Sequence, residues 1–76
     1  MQSEGKPELR QLGDTVRHQR KLLKVSQEDF AELCDLHRTY IGQVERGEKN
    51  ISFISVLRIA NALKTKPSRL FAQSKL

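Results

Sequence analysis

Seventy-six residues with a formal charge of +5 and a pI near 9.8 make a chain with one small core and an excess of cations. That length holds a single domain and leaves no room for a large enclosed substrate cavity. A chain this short buries only about 60% of its unfolded surface, so pairing with a second copy is expected on size alone. No apolar run approaches the roughly 20 residues that span a bilayer, and residues 1–7 lack the apolar core of a signal peptide, so the chain reads as cytoplasmic, with no membrane contact. The cationic excess favours a polyanionic partner, nucleic acid first, because each Lys or Arg set against a phosphate releases condensed counterions.

Residues 1–7 combine Gly, Pro, Ser and charges without periodicity and are expected to form a disordered tail, leaving residues 8–76 as the domain. Leu9, Leu12, Val16 and Leu23 fall at helical spacing, with Arg17, Lys21 and Lys24 facing elsewhere, which predicts an amphipathic first helix of about sixteen residues. Ser26 is placed to N-cap a second helix, with Asp29 as a weak capping-box partner and Phe30, Ala31, Leu33 and Cys34 as its apolar residues. Cys34 is the chain's single cysteine. It has no disulfide partner and no companions at metal-ligand spacing, and reads as a small buried hydrophobe.

Asp35-Leu36-His37 forms a tight connection, Asp being one of the few non-glycine residues that tolerate a left-handed backbone. Arg38 then opens a third helix. Ile41 and Val44 are spaced to face the core, Arg38, Thr39, Gly42, Gln43 and Arg46 gather on another face, and Gly47 stops the helix after about nine residues. Two short helices three residues apart form a helix-turn-helix. Beyond Glu48-Lys49-Asn50, residues 52–63 carry Ile54, Val56, Leu57, Ile59, Ala60 and Leu63 on more than one helical face, enough for the core and for a partner copy. Thr65-Lys66-Pro67 ends that helix and starts a fifth, anchored by Leu70 and Phe71. There is no strand-like alternation, so the fold class is all-α with five helices and the helix-turn-helix at helices 2 and 3.

The run Ser26-Gln27-Glu28-Asp29-Phe30-Ala31-Glu32-Leu33, then Leu36-His37-Arg38-Thr39-Tyr40-Ile41, then Val44-Glu45-Arg46-Gly47, resembles the phage-repressor-like (XRE/Cro-type) helix-turn-helix family. Asn50-Ile51-Ser52 and Leu57 through Leu63 are similar to its fourth helix, so the resemblance covers nearly the whole chain. Within the family, Arg38-Thr39-Tyr40-Ile41, Glu45-Arg46 and Lys49-Asn50 look most like the controller proteins of restriction-modification systems. The resemblance implies a lambda-repressor-like domain, a dimer formed through helices 4 and 5, transcriptional regulation at a palindromic operator, and a contact with RNA polymerase. It also implies a partly buried ion pair between Arg20 and Glu45. Members of the family often carry Gly at the position of Asp35 and a small hydroxyl residue at that of His37. This turn is therefore expected to be less well capped, with Asp35 the better placed acceptor near the start of helix 3.

In this docking mode the third helix lies in the major groove and its N-terminal residues meet base edges. Arg38 is the leading base reader, because a guanidinium can donate twice to guanine O6 and N7, while Thr39 and Gln43 sit either on neighbouring bases or in solvent. Gly42 would let the backbone approach DNA closely. Gln27 lies at the start of helix 2, where free N–H groups accept a phosphate, and the Tyr40 hydroxyl, Arg46, Lys49 and Asn50 are the other candidate backbone contacts. His18 and His37 are too few for a metal site, Asp14, Glu28, Asp29 and Glu32 read as solvated helix charge, and no phosphate loop or nucleophile motif is present, so no enzymatic activity, metal or cofactor is expected. An antitoxin-like or adaptor module on the same fold is the alternative from another class. RNA binding fits less well, since stacking aromatics are scarce.

Overall fold

The computed structural model describes residues 6–76, which form α1 (Pro7–Leu22), α2 (Gln27–Cys34), α3 (Arg38–Glu45), α4 (Phe53–Ala62) and α5 (Pro67–Gln73), with no strand among the described residues. The start of each helix follows from local chemistry. Proline opens α1 and α5, where its missing N–H costs nothing. The Ser26 hydroxyl accepts from the Asp29 amide at 3.0 Å, and the Ser52 hydroxyl from the Ser55 amide at 3.1 Å, each satisfying an orphan first-turn donor.

The ends share one device. Every helix runs into a residue with positive φ, namely Lys24, Asp35, Gly47, Lys64 and Lys75. After α3 the Gly47 amide donates to the Val44 carbonyl at 3.0 Å and the Glu48 amide to Gln43 at 2.9 Å, the paired bonds of a Schellman closure. The same closure follows α2, with Asp35 in the left-handed position at φ 58°. It reverses the chain within three residues and sets the turn of the helix-turn-helix.

Three expectations are corrected. The tail boundary moves, because Pro7 belongs to α1 and Lys6 is its N-cap; the rest of the expected disordered tail lies outside the described residues. Leu23 and Leu33 point outward, 41% and 58% exposed, because the helical stripe of α1 ends one turn earlier and Phe30, Ala31 and Cys34 already fill the inner face of α2. The cap of α3 is His37 and not Asp35: the His37 Nδ1 accepts the Thr39 amide at 3.2 Å. An extended backbone at His37 swings its imidazole over the first turn of α3, whereas left-handed Asp35 sends its carboxylate into solvent and turns its carbonyl to the Arg58 guanidinium at 3.1 Å.

The core takes Leu12 and Val16 from α1, Phe30 and Cys34 from α2, Ile41 and Val44 from α3, Ile59 from α4 and Leu70 from α5. Fully burying each of the larger side chains is worth about 1.5–3 kcal/mol. α3 packs against α1 and α2, α2 also packs against α4, and α5 closes on α1 and α4. A Cβ at Gly13 would collide with the Val44 carbonyl oxygen and stand 2.9 Å from that of Glu45, so α1 and α3 touch backbone to backbone. Gly47 does the same just past the same C-terminal end of α3, where a Cβ would lie 2.8 Å from the Arg10 Cα. α3 is thus gripped along one side while its other side stays free.

Candidate nucleic-acid interface

The inner side of α3 is held by Ile41 and Val44 in the core and by a polar anchor at Glu45, which is only 4% exposed. Arg20 Nε donates to Glu45 Oε2 at 2.7 Å and Nη2 to Oε1 at 3.1 Å, while Nη1 donates to the Val25 carbonyl at 2.8 Å. Gln27 Nε2 completes the carboxylate with a 2.9 Å bond to Oε1. One buried carboxylate therefore ties together α1, the start of α2 and the end of α3, and the ion pair that the family resemblance implied is present. Such a network holds the two helices of the motif in one orientation, because removing any member strands a buried charge or donor.

The outer side carries the candidate base readers together. Arg38 and Thr39 are exposed and Gln43 is half-buried one turn further along. Arg38 reaches the Glu28 carboxylate at 3.4 Å, both side chains being more than 60% exposed, so this surface pair is weak and leaves the guanidinium available. The candidate phosphate contacts flank this row. Gln27 stands at the N-terminus of α2, committed through one amide N–H to Glu45. Tyr40 is half-buried, and its hydroxyl accepts the Ser52 amide at 3.3 Å, with the Lys49 ammonium 5.8 Å from the ring centroid. Lys49 and Asn50 are exposed in the loop joining α3 to α4. Arg46, at the C-cap of α3, donates Nε to Glu48 Oε2 at 3.0 Å.

Gly42 departs from its expected role. It is buried, because the Arg46 guanidinium folds back over it, with Nη1 3.2 Å from a Cβ placed there and Gln27 Oε1 at 3.7 Å. The small residue makes space for side chains where α2 crosses α3. Glu48 reads in the sequence only as part of a polar loop. Its pairing with Arg46 spans a helix end, where the i, i+3 and i, i+4 rules that reveal partners in sequence do not apply. Arg58, which fastens α4 to the motif's turn, was missed for a similar reason, since its partner Asp35 lies 23 residues away in sequence.

No helix is long and apolar enough to cross a membrane, and no cluster of three metal-ligating side chains occurs among the described residues. A helix-turn-helix family profile matches residues 16–70. The control protein C.SmaI of Serratia marcescens is 42% identical over 65 residues, which is 86% of this chain and 77% of that protein. The control protein C.BamHI of Bacillus amyloliquefaciens is 48% identical over 46 residues, covering 60% of this chain and 57% of its own. Among solved structures, the restriction-modification controller protein C.AhdI from Aeromonas hydrophila superposes with a TM-score of 0.83 at 38% identity, over 86% of this chain and 98% of that one.

Proposed function

Since this chain belongs to the helix-turn-helix family and matches control proteins of that family along most of its length, we propose that it is the transcriptional regulator of a restriction-modification system. It binds double-stranded DNA and is not an enzyme. The observation that carries the reading is the two-sided build of α3: Glu45, Ile41 and Val44 are buried and fixed, and Arg38, Thr39 and Gln43 are presented outward from a capped N-terminus. An element held that rigidly can enter a major groove without paying for its own ordering.

In this reading Arg38 is the main base reader, with Thr39 and Gln43 beside it, and Gln27, Tyr40, Arg46, Lys49 and Asn50 meet phosphates. Those contacts position α3, while the base edges supply sequence information. Eight residues of α3 read too few base pairs for strong selectivity, so the regulator acts as a homodimer on a palindromic operator with half-sites about 34 Å apart. The dimer surface is the outer side of α4 with α5, supported by the exposure of Phe53, Ile54 and Leu57. A contact with RNA polymerase, in the cytoplasm, falls to surface left free by both faces, which includes Asp29 and Glu32 on α2. Selection of bound duplexes from a random library, then titration of the winner against an unrelated duplex, tests the proposal. A symmetric consensus bound at least a thousandfold more tightly is expected. Equal affinity for both duplexes overturns it.

A further inference from the structure

Of the two cationic candidate phosphate contacts, Arg46 and Lys49, Arg46 is the one that the protein already pairs with a carboxylate among the described residues. Its Nε donates to Glu48 Oε2 at 3.0 Å, and its Nη1 lies back along the outer face of α3 over Gly42. Neither partner is held there by burial, since the two side chains are 57% and 52% exposed. What fixes Glu48 is the Schellman closure of α3, in which its amide donates to the Gln43 carbonyl at 2.9 Å. The main chain at Glu48 is thereby set two residues beyond Arg46, within reach of its guanidinium, on the loop that also carries Lys49 and Asn50. A negative group at the edge of a phosphate-binding surface is repelled by DNA, and it neutralises the cation nearest to it.

Building on the reading of Arg46 as a phosphate contact, we propose that Glu48 is an intramolecular competitor that holds Arg46 off DNA and sets the regulator's affinity for all sequences. Arg46 must exchange Glu48 for a phosphate when the protein docks, so every complex, specific or not, carries the same cost. Base discrimination by Arg38 is left unchanged, because Arg38 has a different carboxylate neighbour, Glu28. The electrostatics agree: the hydrogen bond from Arg46, helped by the charges of Arg46 and Arg10, holds the Glu48 carboxyl below its usual range in the free protein, so the competing carboxylate is ionised before DNA arrives. In a basic chain of 76 residues such a brake limits retention on random DNA.

The test uses the full chain, a selected duplex and an unrelated duplex of equal length, with affinities measured from 50 to 200 mM salt. Glu48→Gln is expected to tighten both duplexes by the same factor and to steepen the salt slope by about 0.9 per protomer, a gain for the dimer about twelvefold larger at 50 than at 200 mM. In the Arg46→Ala background the same change is expected to lose most of its effect. Three results overturn the proposal: no change on Glu48→Gln, a gain equally large without Arg46, which is bulk repulsion only, or weaker binding confined to the selected duplex, which makes Glu48 a reader of cytosine N4. Arg46→Ala alone separates the layers, because if it leaves both affinities unchanged, the phosphate role of Arg46 fails along with the competitor.

Discussion

Arg20 grips Glu45 through two guanidinium nitrogens, at 2.7 and 3.1 Å, in a site where the carboxylate side chain is 2% exposed. Breaking such a pair from one side leaves a buried charge without its counter-ion, at a cost of about 3–5 kcal/mol. A domain of this size has only about 4–11 kcal/mol to lose. Glu45→Ala is therefore expected to leave a domain that is marginal or unfolded at room temperature, with Arg20→Met close behind. Glu45→Gln, which keeps the shape and one acceptor, costs less. Urea denaturation of the three variants checks the order. A loss under 1 kcal/mol for Glu45→Ala would mean that water reaches the pair.

Gly13→Ala sets two effects of opposite sign against each other. Helix propensity favours alanine by about 1 kcal/mol, but overpacking a tight contact costs about 1–3 kcal/mol or more. Packing wins, because the obstructing atoms are the main-chain oxygens of Val44 and Glu45, which cannot step aside without moving α3. The expected net loss is about 1–2 kcal/mol or greater. Gly42→Ala is the control: its obstacle is the tip of the Arg46 side chain, so stability is expected to hold or rise. Thermal melts of both variants decide the point.

These two glycines also mark how far the sequence is legible. The Ser26 cap, the left-handed Asp35 and the Gly47 stop are local chemistry, and each stands where spacing and residue type place it. Periodicity identifies an apolar residue as helical but does not say which of two apolar faces is inside, which is why Leu23 and Leu33 read as core residues in the sequence and stand exposed in the fold. The Arg20–Glu45 pair came from family resemblance, since nothing local links residues 25 apart. The Gly13 contact, the cover over Gly42 and the Arg46–Glu48 pair depend on how helices cross and how a long side chain folds back, which one sequence does not encode locally.

Arg38 and Lys49 should separate in their effects on DNA. Arg38→Ala is expected to relax preference at one base position per half-site, with about 1–3 kcal/mol of discrimination lost. Lys49→Ala is expected to weaken every duplex alike and to flatten the salt slope by about 0.9 per protomer. Binding curves over a panel of single-base variants at two salt concentrations distinguish them. A uniform loss for Arg38→Ala would make it one more phosphate contact.

Cys34 predicts the alkaline behaviour. Burial pushes its thiol up to about 12, so the folded chain keeps the proton where the unfolded chain, near 8.5, releases it. With more protons bound to the native state than to the unfolded one, stability falls as pH rises above the unfolded value and is unaffected below it. The slope contributed by this one group is at most about 1.4 kcal/mol per pH unit. The stability gap between wild type and Cys34→Ala should therefore narrow between pH 8.5 and 10.5, as measured by denaturant melts. At neutral pH a thiol reagent should modify Cys34 only at the rate of unfolding.

The outer side of α4 puts Phe53 at 73%, Ile54 at 55% and Leu57 at 38% exposure on a chain whose core is small. Singly exposed apolar residues are ordinary, but three on one short helix form a patch that solvent disfavours. Ile54 has little to lose inside its own domain, so Ile54→Glu should leave monomer stability within about 0.5 kcal/mol. Across a two-fold axis the same change sets two carboxylates against a partner's apolar face, and association should collapse. Sedimentation equilibrium is expected to show a dimer for wild type and a monomer for Ile54→Glu, with helicity unchanged. Operator affinity should fall with it, to that of a single half-site. A dimer that survives Ile54→Glu would move the two-fold interface off α4.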